Sequence, residues 1–356
     1  MFISYLKHIQ RKNKITLEEL LDQYKQNELL QSTYSIGTKN NYLSVIKMIK
    51  KDSIVKMKVS QINTTILQEY LNTLSNQKSF SKSRMTAYSA LLTNVFDYAI
   101  YPLQIIITNP MQHIKLVQQT EQDIFSNLNQ KQETITHDQY QKIVSYLQSR
   151  NNPHLLPIQI AYYTGLRIGE AVALTWDDIN LDQQYLIVQR AMVLNCEGKN
   201  RLEFTTPKRN KTRIVYFPNA LKEILIKEKQ QNKPIVNYYI KQTENNLIHY
   251  PIYTGVMNHP NQISIHLVCT KQDGSFINRR SLATICSRLN KYIPELSNFH
   301  FHMLRHTYAS NLLQRNINSQ QVKELLGHQD IRTTMNVYSH NDQKELLEKV
   351  KVLDEL

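Results

Sequence analysis

An arginine and a glutamate three residues apart could together bind a phosphate. Residues 164–170 read TGLRIGE, and Gly165 can end one helix in a left-handed turn, so that Arg167 begins the next. Glu170 then lies on the same helix face and can hold the guanidinium in place. An arginine presented in this way suits a phosphate oxygen. The same spacing also fits an ordinary Arg–Glu surface pair.

A second group of cationic or hydrogen-bonding side chains lies in the segment HMLRH. His302, Arg305 and His306 are at i, i+3 and i+4, so they share one face of a helix. Two histidines four residues apart could instead bind zinc. Zinc is disfavoured because HExxH has a glutamate after its first histidine, and because Arg305 would repel the ion. We therefore predict no metal site.

A histidine and a tyrosine complete the candidates. Gly327 can end a helix that begins near residue 319, which places His328 just beyond it. Tyr338 follows ten residues later, on a short helix that Asp330 can cap. A tyrosine in this setting can be a nucleophile if a cationic environment lowers its pKa. By spacing alone Tyr338 also fits a core position, and the chain has 21 tyrosines.

These residues must be positioned by two different domains. Capping boxes at Thr16/Glu19 and Thr136/Gln139 each predict a helix start. Helical spacing continues over residues 38–50, 66–74 and 81–100, Asn109-Pro110 ends regular structure, and strand patterns appear only later, at 185–190, 212–217 and 263–269. We predict a mainly α fold with a small β-sheet: an N-terminal tail (1–14), a helical domain (15–117), a linker (118–134), a mixed α/β domain (135–340) and a C-terminal tail helix (341–356).

Composition indicates the class of partner. The 356 residues carry a net charge of +14, and 41% are hydrophobic, which favours a globular protein that binds nucleic acid. No run of about 18 apolar residues could span a bilayer, and no secretory signal begins the chain. Three cysteines are too few for a disulfide framework. We expect a cytoplasmic protein with nucleic acid as its partner.

Four motifs in order carry a resemblance to a known family. TGLRIGE, HMLRH, LGH and the tyrosine ten residues after that histidine match in order and type. The chain resembles the tyrosine recombinases, the family of phage and conjugative-transposon integrases. The similarity extends over roughly residues 15–345 and includes Asn109-Pro110 and the TYAS sequence after HMLRH.

The resemblance implies a two-domain C-shaped clamp on double-stranded DNA, with the helical (SAM-like) domain as core-binding domain and the mixed domain as catalytic domain. It also implies a catalytic lysine on a β-hairpin, which residues 206–215 (TPKRNKTRIV) match best at Lys208, with Lys211 as the alternative. The implied catalytic set comprises Arg167, Lys208, His302, Arg305, His328 and Tyr338, supported by Glu170 and His306. Lys39, Lys82, Arg84, Arg209 and Lys211 are further candidates for DNA contact.

The implied reaction is strand cleavage and rejoining through a 3′-phosphotyrosyl intermediate. No GxxxxGK[ST] loop is present, and we expect no cofactor. Partners would be recombination-site DNA, further copies of the chain in a tetrameric synaptic complex, and accessory excision or DNA-bending proteins. Leu346, Leu347, Val350 and Leu353 repeat at helical spacing in the tail, which in this family often docks on a neighbouring protomer.

Three functional readings stay open. The first is integration and excision of a mobile element, the second is a Xer-like chromosome-dimer resolvase, and the third is a DNA-binding regulator that has lost catalysis. The complete set of six candidate residues disfavours the regulator. The departures from a compact Xer-like pattern mildly favour the first, and a stretch at 228–259 looks like an insertion of unassigned role. The arm-binding domain with which many mobile-element integrases begin has no counterpart before residue 15, so either the protein does not use arm-type sites or the chain is a fragment of a longer one.

Overall fold

The structure is a computed structural model that describes residues 14–77, 80–116, 134–195, 201–205, 207, 212–231, 238–241, 250–254, 262–296, 298–315, 317–318, 321–322, 325–326 and 348–355. These residues form two compact units: those up to 116 belong to the first, and those from 134 onward to the second. The predicted linker lies outside the described residues apart from Thr134. No described helix is long and apolar enough to cross a membrane.

The first unit is helical. Its α-helices are α1 (Leu17–Tyr24), α2 (Ile36–Ile49), α3 (Thr64–Gln77) and α4 (Lys82–Ile100), with a π-helical turn at Lys25–Leu29 and 3-10 turns at Ser53–Lys56 and Val59–Gln61. The predicted capping box at the start of α1 is confirmed, because the Glu19 amide donates to Thr16 and the Thr16 amide donates to the Glu19 carboxylate. Side-chain oxygens of Ser35 and Ser81 cap α2 and α4.

Apolar residues from all four helices form one core in this unit. The chain leaves α4 through a loop that Asn109 fixes. The Asn109 amide group donates to the Thr93 carbonyl at 3.0 Å and to the Asp97 carboxylate at 2.6 Å, while its oxygen accepts from the Met111 amide. Regular structure ends earlier than predicted, at Ile100, and Asn109-Pro110 lies in the loop that follows, where the buried asparagine ties the loop back to α4.

The second unit mixes helices with short strands. Its helices are α5 (His137–Gln148), α6 (Leu155–Thr164), α7 (Ile168–Ala171), α8 (Asn219–Lys229), α9 (Arg279–Tyr292) and α10 (His302–Gln314), with 3-10 turns at Trp176–Asp178 and Val352–Glu355. The capping box that Thr136 and Gln139 form at α5 is confirmed. Helix α6 is buried along most of its length and packs against α10. The fold is mainly α with small antiparallel sheets.

Two antiparallel sheets complete this unit. The strands are β1 (Ile179–Asn180), β2 (Tyr185–Val188), β3 (Ala191–Asn195), β4 (Arg201–Thr205), β5 (Arg213–Tyr216), β6 (Tyr238–Lys241), β7 (Tyr250–Thr254) and β8 (Gln262–Ile265). One sheet has the order β1-β2-β5 and the other β3-β4-β7-β6-β8. The predicted strands at 185–190 and 212–217 are confirmed. The one predicted at 263–269 is shorter: β8 ends at Ile265, and Leu267 forms only an isolated bridge with Thr175.

One expectation about this unit needs correction. The predicted hairpin at 206–215 follows β4 and includes the start of β5, but in their described residues β4 pairs with β3 and β7, and β5 pairs with β2. Alternation predicts that each segment is extended, but it does not specify which strand lies beside it. The apparent insertion at 228–259 contributes β6 and β7, so its described residues widen the second sheet.

The C-terminal tail packs on its own chain. Val350 and Leu353 are buried in a small cluster with Tyr308 and Leu312 of α10. The Asp354 carboxylate accepts from the backbone amides of Asn219 at 3.0 Å and Ala220 at 2.7 Å, at the start of α8. The sequence left open whether the tail docks on its own chain or on a neighbouring protomer. An amphipathic pattern shows that a face will be covered, but not which copy of the chain covers it.

Candidate active site

The turn between α6 and α7 presents Arg167. Helix α6 ends at Gly165, whose φ of +64° is left-handed as predicted. A Cβ atom there would lie 2.7 Å from a ring carbon of Tyr308 and 2.9 Å from a methyl of Leu326. Glycine is therefore required both by the backbone conformation and by the close packing. Arg167 follows as the N-cap of α7, with one third of its side chain exposed.

Glu170 is buried and holds two arginines. Its carboxylate accepts from the backbone amide and the guanidinium of Arg167, each at 3.0 Å. It also accepts two bonds from Arg213, at 3.1 and 2.6 Å. The predicted Arg167–Glu170 contact is confirmed, and with Glu170 only 2% exposed it is not an ordinary surface pair.

The charge of Glu170 is strongly stabilised. Burial alone would raise the pKa of this carboxyl, but the hydrogen bonds and charge of Arg213, together with those of Arg167, outweigh burial and lower the pKa to about 2. Arg213 is a residue that the sequence reasoning missed. A detectable signal was present, since Arg213 alternates with inward-facing Val215 on a predicted strand, and an arginine at such a position requires a buried partner.

Arg305 enters the same site from α10. Its guanidinium donates to the carbonyl of Gly165 at 2.7 Å and to that of Leu326 at 3.1 Å. Burial, followed by the charges of Arg167 and Arg213, lowers the pKa of Arg305 to about 10, so it is still protonated at neutral pH. Helical spacing places Arg305 on a shared face with two histidines, yet the arginine is buried and links the α6–α7 turn to the chain just before His328.

The two histidines of HMLRH lie on the more open side of α10. The ring centroids of His302 and His306 are 4.8 Å apart, with the rings nearly perpendicular. Burial, then the neighbouring His306, Arg305 and Arg167, lowers the pKa of His302. Burial, then His300 and Arg305, lowers that of His306. Both imidazoles are therefore neutral at pH 7 and can accept or donate a proton.

The described residues contain no group of three His, Cys, Asp or Glu residues that could hold a metal ion. The predicted residues Lys208, Arg209, Lys211, His328 and Tyr338 lie outside the described residues, as does the side chain of Lys82. Of the other candidate DNA contacts, Arg84 is exposed and lies 4.9 Å from the centre of the Phe80 ring. Lys39 donates to the Leu30 carbonyl at 2.8 Å.

The site can thus bind an oxyanion and move a proton beside it. Two guanidiniums from elements far apart in sequence meet at the α6–α7 turn, and a neutral imidazole lies on the same helix as one of them. Forked arginine donors match the oxygens of a phosphate.

Comparison with known proteins identifies the family to which the chain belongs. Residues 133–345 match the sequence model of the phage integrase family. A XerC-like tyrosine recombinase of Caldanaerobacter subterraneus is 29% identical over 86% of this chain and 75% of its own. The integrase of Staphylococcus phage L54a is 24% identical over 95% of this chain and 93% of its own.

Solved structures have the same fold. The Tn1549 transposon integrase in complex with transposon right-end DNA superposes with a TM-score of 0.64 at 18% identity, covering 94% of this chain and 99% of that one. A lambda integrase in a tetramer bound to a Holliday junction superposes with a TM-score of 0.61 at 20% identity, covering 93% and 79%. The chain belongs to the phage integrase family and is a tyrosine-type site-specific recombinase.

Proposed function

We propose that the chain integrates and excises a mobile genetic element by cutting and rejoining double-stranded DNA through Tyr338. One observation carries the chemistry: Arg305 donates to the carbonyl of Gly165, 140 residues earlier, next to the turn that presents Arg167. Two guanidiniums beside one turn suit the charge that builds on the non-bridging oxygens when a phosphodiester is attacked.

Each remaining requirement of the reaction has a candidate. The Tyr338 hydroxyl attacks phosphorus, and a neutral His302 accepts its proton. The bond to the 5′-oxygen breaks, and Lys208 protonates that oxygen, which leaves a 3′-phosphotyrosine and a 5′-hydroxyl. His328 is a further hydrogen-bond donor to the phosphate. Religation by a new 5′-hydroxyl reverses these steps and needs no ATP, because the phosphotyrosine preserves the ester bond.

The proposed partners follow from the same comparisons. The Tn1549 and lambda integrases of those structures are bound to DNA, and the lambda protein is a tetramer on a Holliday junction. We extend double-stranded DNA and a tetrameric synaptic complex to this chain, whose net charge of +14 favours a polyanion. Accessory excision or DNA-bending proteins belong to the same proposal.

Replacing the nucleophile tests the proposal directly. Tyr338→Phe should bind DNA as tightly as the wild type but form no covalent complex, because only the attacking hydroxyl is lost. The measurement is a denaturing gel of the protein with a nicked suicide duplex built from the sequences that flank its gene. Tyr292→Phe is a matched control, since Tyr292 is exposed on α9 and should retain the covalent product. Covalent product with Tyr338→Phe would exclude Tyr338 as the nucleophile.

A Xer-like resolvase is the second candidate, favoured by the XerC-like relative at 29% identity. The two functions differ in what surrounds the gene. A mobile element leaves direct repeats or attachment sites beside its integrase, whereas a chromosome-dimer resolvase acts at a chromosomal site independent of its own gene. Sequencing the flanking DNA in several strains distinguishes them, and the absence of an element boundary would favour the resolvase.

A further inference from the structure

Arg213 is a buried cation that the proposed chemistry does not use. It lies at the start of β5 and is 3% exposed. Its Nη1 donates to Oε1 of Glu170 and its Nη2 to Oε2, so the two groups form the parallel, two-bond pair that arginine and carboxylate prefer. Its Nε has no partner among the described residues. A pair kept only for stability is poorly served by a buried, incompletely bonded guanidinium.

The pairing of Arg213 with Glu170 limits the number of hydrogen bonds that Glu170 can accept from the Arg167 guanidinium. With both carboxylate oxygens bonded to Arg213, the Arg167 guanidinium makes a single bond to Glu170, from Nη1 to Oε1. One negative charge is thus shared by two positive ones. Without Arg213, Glu170 could form the two-bond pair with Arg167 itself, neutralise it and turn its donors away from solvent.

We propose that Arg213 is a positioning residue for DNA cleavage, which occupies Glu170 so that Arg167 keeps its charge and donors for the scissile phosphate. The inference rests on the proposed function, because it assigns Arg213 a part in that reaction. Arg213 acts through Glu170 and Arg167 and need not touch DNA. Its place also connects two parts of the site, since β5 begins directly after the segment that carries Lys208.

The chain offers a matched control. Arg190 forms a similar pair with Asp178, donating from Nη2 at 2.8 and 2.7 Å to the two carboxylate oxygens. Asp178 is as buried as Glu170, with 2% of its side chain exposed. The Nε of Arg190 also lacks a partner among the described residues. Loss of Arg190 therefore also removes the arginine from a buried carboxylate without involving Arg167, although the Arg190 side chain is 22% exposed against 4% for Arg213.

The experiment compares Arg213→Met, Arg213→Lys and Arg190→Met on two duplexes. One is the nicked suicide duplex, and the other carries a methylphosphonate at the scissile position, which removes the negative charge there. Single-turnover formation of the covalent complex is measured at saturating protein, with rates referred to the folded fraction from circular dichroism. DNA affinity is measured separately, so that a loss of binding is distinguished from a loss of chemistry.

On the normal duplex, Arg213→Met should be slower than wild type by about tenfold to a hundredfold, somewhat less than the loss of a donor that itself touches the phosphate. Arg213→Lys, which keeps the charge but offers one nitrogen, should be intermediate, and it carries the test if Arg213→Met does not fold. On the methylphosphonate the defect should shrink to about threefold or less, because less charge needs stabilising. Arg190→Met should stay within about twofold of wild type on both.

Two outcomes overturn the inference alone: an equal defect of Arg213→Met on both duplexes, or equal rates for Arg213→Met and Arg190→Met. Either would make Arg213 an ordinary structural residue while wild-type cleavage still supported the proposed function. If the wild-type protein forms no covalent complex with the flanking duplex or with nicked genomic fragments, the proposed function itself fails, and this inference fails with it.

Discussion

The buried carboxylate of Glu170 organises the candidate site at the scale of single residues. It joins two arginines that are 46 residues apart in sequence, of which one is exposed enough to reach a ligand and the other is not. Because the carboxylate keeps its charge down to a very low pH, the guanidiniums keep a fixed partner through the range in which cells operate.

The lowered pKa of His302 leads to a prediction about pH. An imidazole that accepts the tyrosine proton must be neutral, and burial beside cationic groups moves the pKa of His302 below its ordinary value of 6.5. The single-turnover cleavage rate should therefore decline as pH falls, with a midpoint below pH 6.5. His302→Gln should lose most of the activity and also the decline at low pH. His266→Gln changes an exposed histidine and should keep both the activity and the decline. A decline centred above pH 6.5 would contradict the assignment.

A sulfur substitution distinguishes the two candidate general acids. A lysine that donates a proton matters only when the leaving group is poor, and a bridging 5′-sulfur leaves as a thiolate with a pKa near 8.5. Lys208→Ala should cleave normal DNA about a hundredfold more slowly, the usual scale for losing acid help, yet cleave the sulfur-bridged duplex almost as fast as wild type. Lys211→Ala should show no such rescue.

The result also tests the alignment of the segment. If the sulfur duplex rescues Lys211→Ala instead, the catalytic position lies three residues later in the sequence than the resemblance implies. If it rescues neither variant, the general acid lies outside this segment.

At the scale of elements, the α6–α7 turn joins packing to chemistry. Gly165 sits against Tyr308 and Leu326 and accepts from Arg305 through its carbonyl, so one residue fixes the turn and anchors an arginine. The short helix α7 packs against β3, and α6 against α10. A change in the conformation of this turn should therefore displace both Arg167 and Arg305.

Gly165→Ala should destabilise the protein and reduce cleavage more than DNA binding. The left-handed conformation alone costs an alanine about 1 kcal/mol, and the Cβ contact of 2.7 Å forces Tyr308 or the turn to move. Gly37→Ala is the control, because Gly37 lies in α2 with its nearest neighbour at 3.8 Å, and alanine there should stabilise by up to about 1 kcal/mol. Urea unfolding and the denaturing gel measure both effects. Unchanged cleavage by Gly165→Ala would separate the turn from the chemistry.

At the scale of the whole molecule, the end of the chain returns to its own second unit. The tail closes over α10 and caps α8, so the last described residues contribute to the stability of a single copy. Docking on a neighbour would require these contacts to be exchanged for equivalent ones on another copy.

Asp354→Ala should therefore destabilise the isolated monomer. The carboxylate accepts from two amides at the start of α8, and loss of such a cap costs about 1 kcal/mol. Deleting residues 343–356 should cost more, since Val350 and Leu353 leave the cluster with Tyr308. Glu348→Ala removes only an exposed pair with Lys351 and should change stability by less than about 0.5 kcal/mol. Urea unfolding of the dilute protein without DNA measures all three. An unchanged free energy of unfolding after the deletion would contradict packing of the tail within one chain.

The sequence by itself determined what neighbouring residues can decide. The capping boxes at Thr16 and Thr136 and the contact of Arg167 with Glu170 all join residues three apart, and such contacts follow from helix geometry before any tertiary structure forms. The order of the motifs likewise indicated the family, because residue types and their spacing can be read directly from the sequence.

Only the tertiary structure decided which distant groups meet. The bond from Arg305 to Gly165 spans 140 residues, and the pair of Arg213 with Glu170 spans 43. A strand pattern shows that Arg213 points inward. Which residue pairs with its buried charge depends on how the strand is placed against α7. The packing of the tail depends likewise on a surface that exists only once α10 and α8 have assembled.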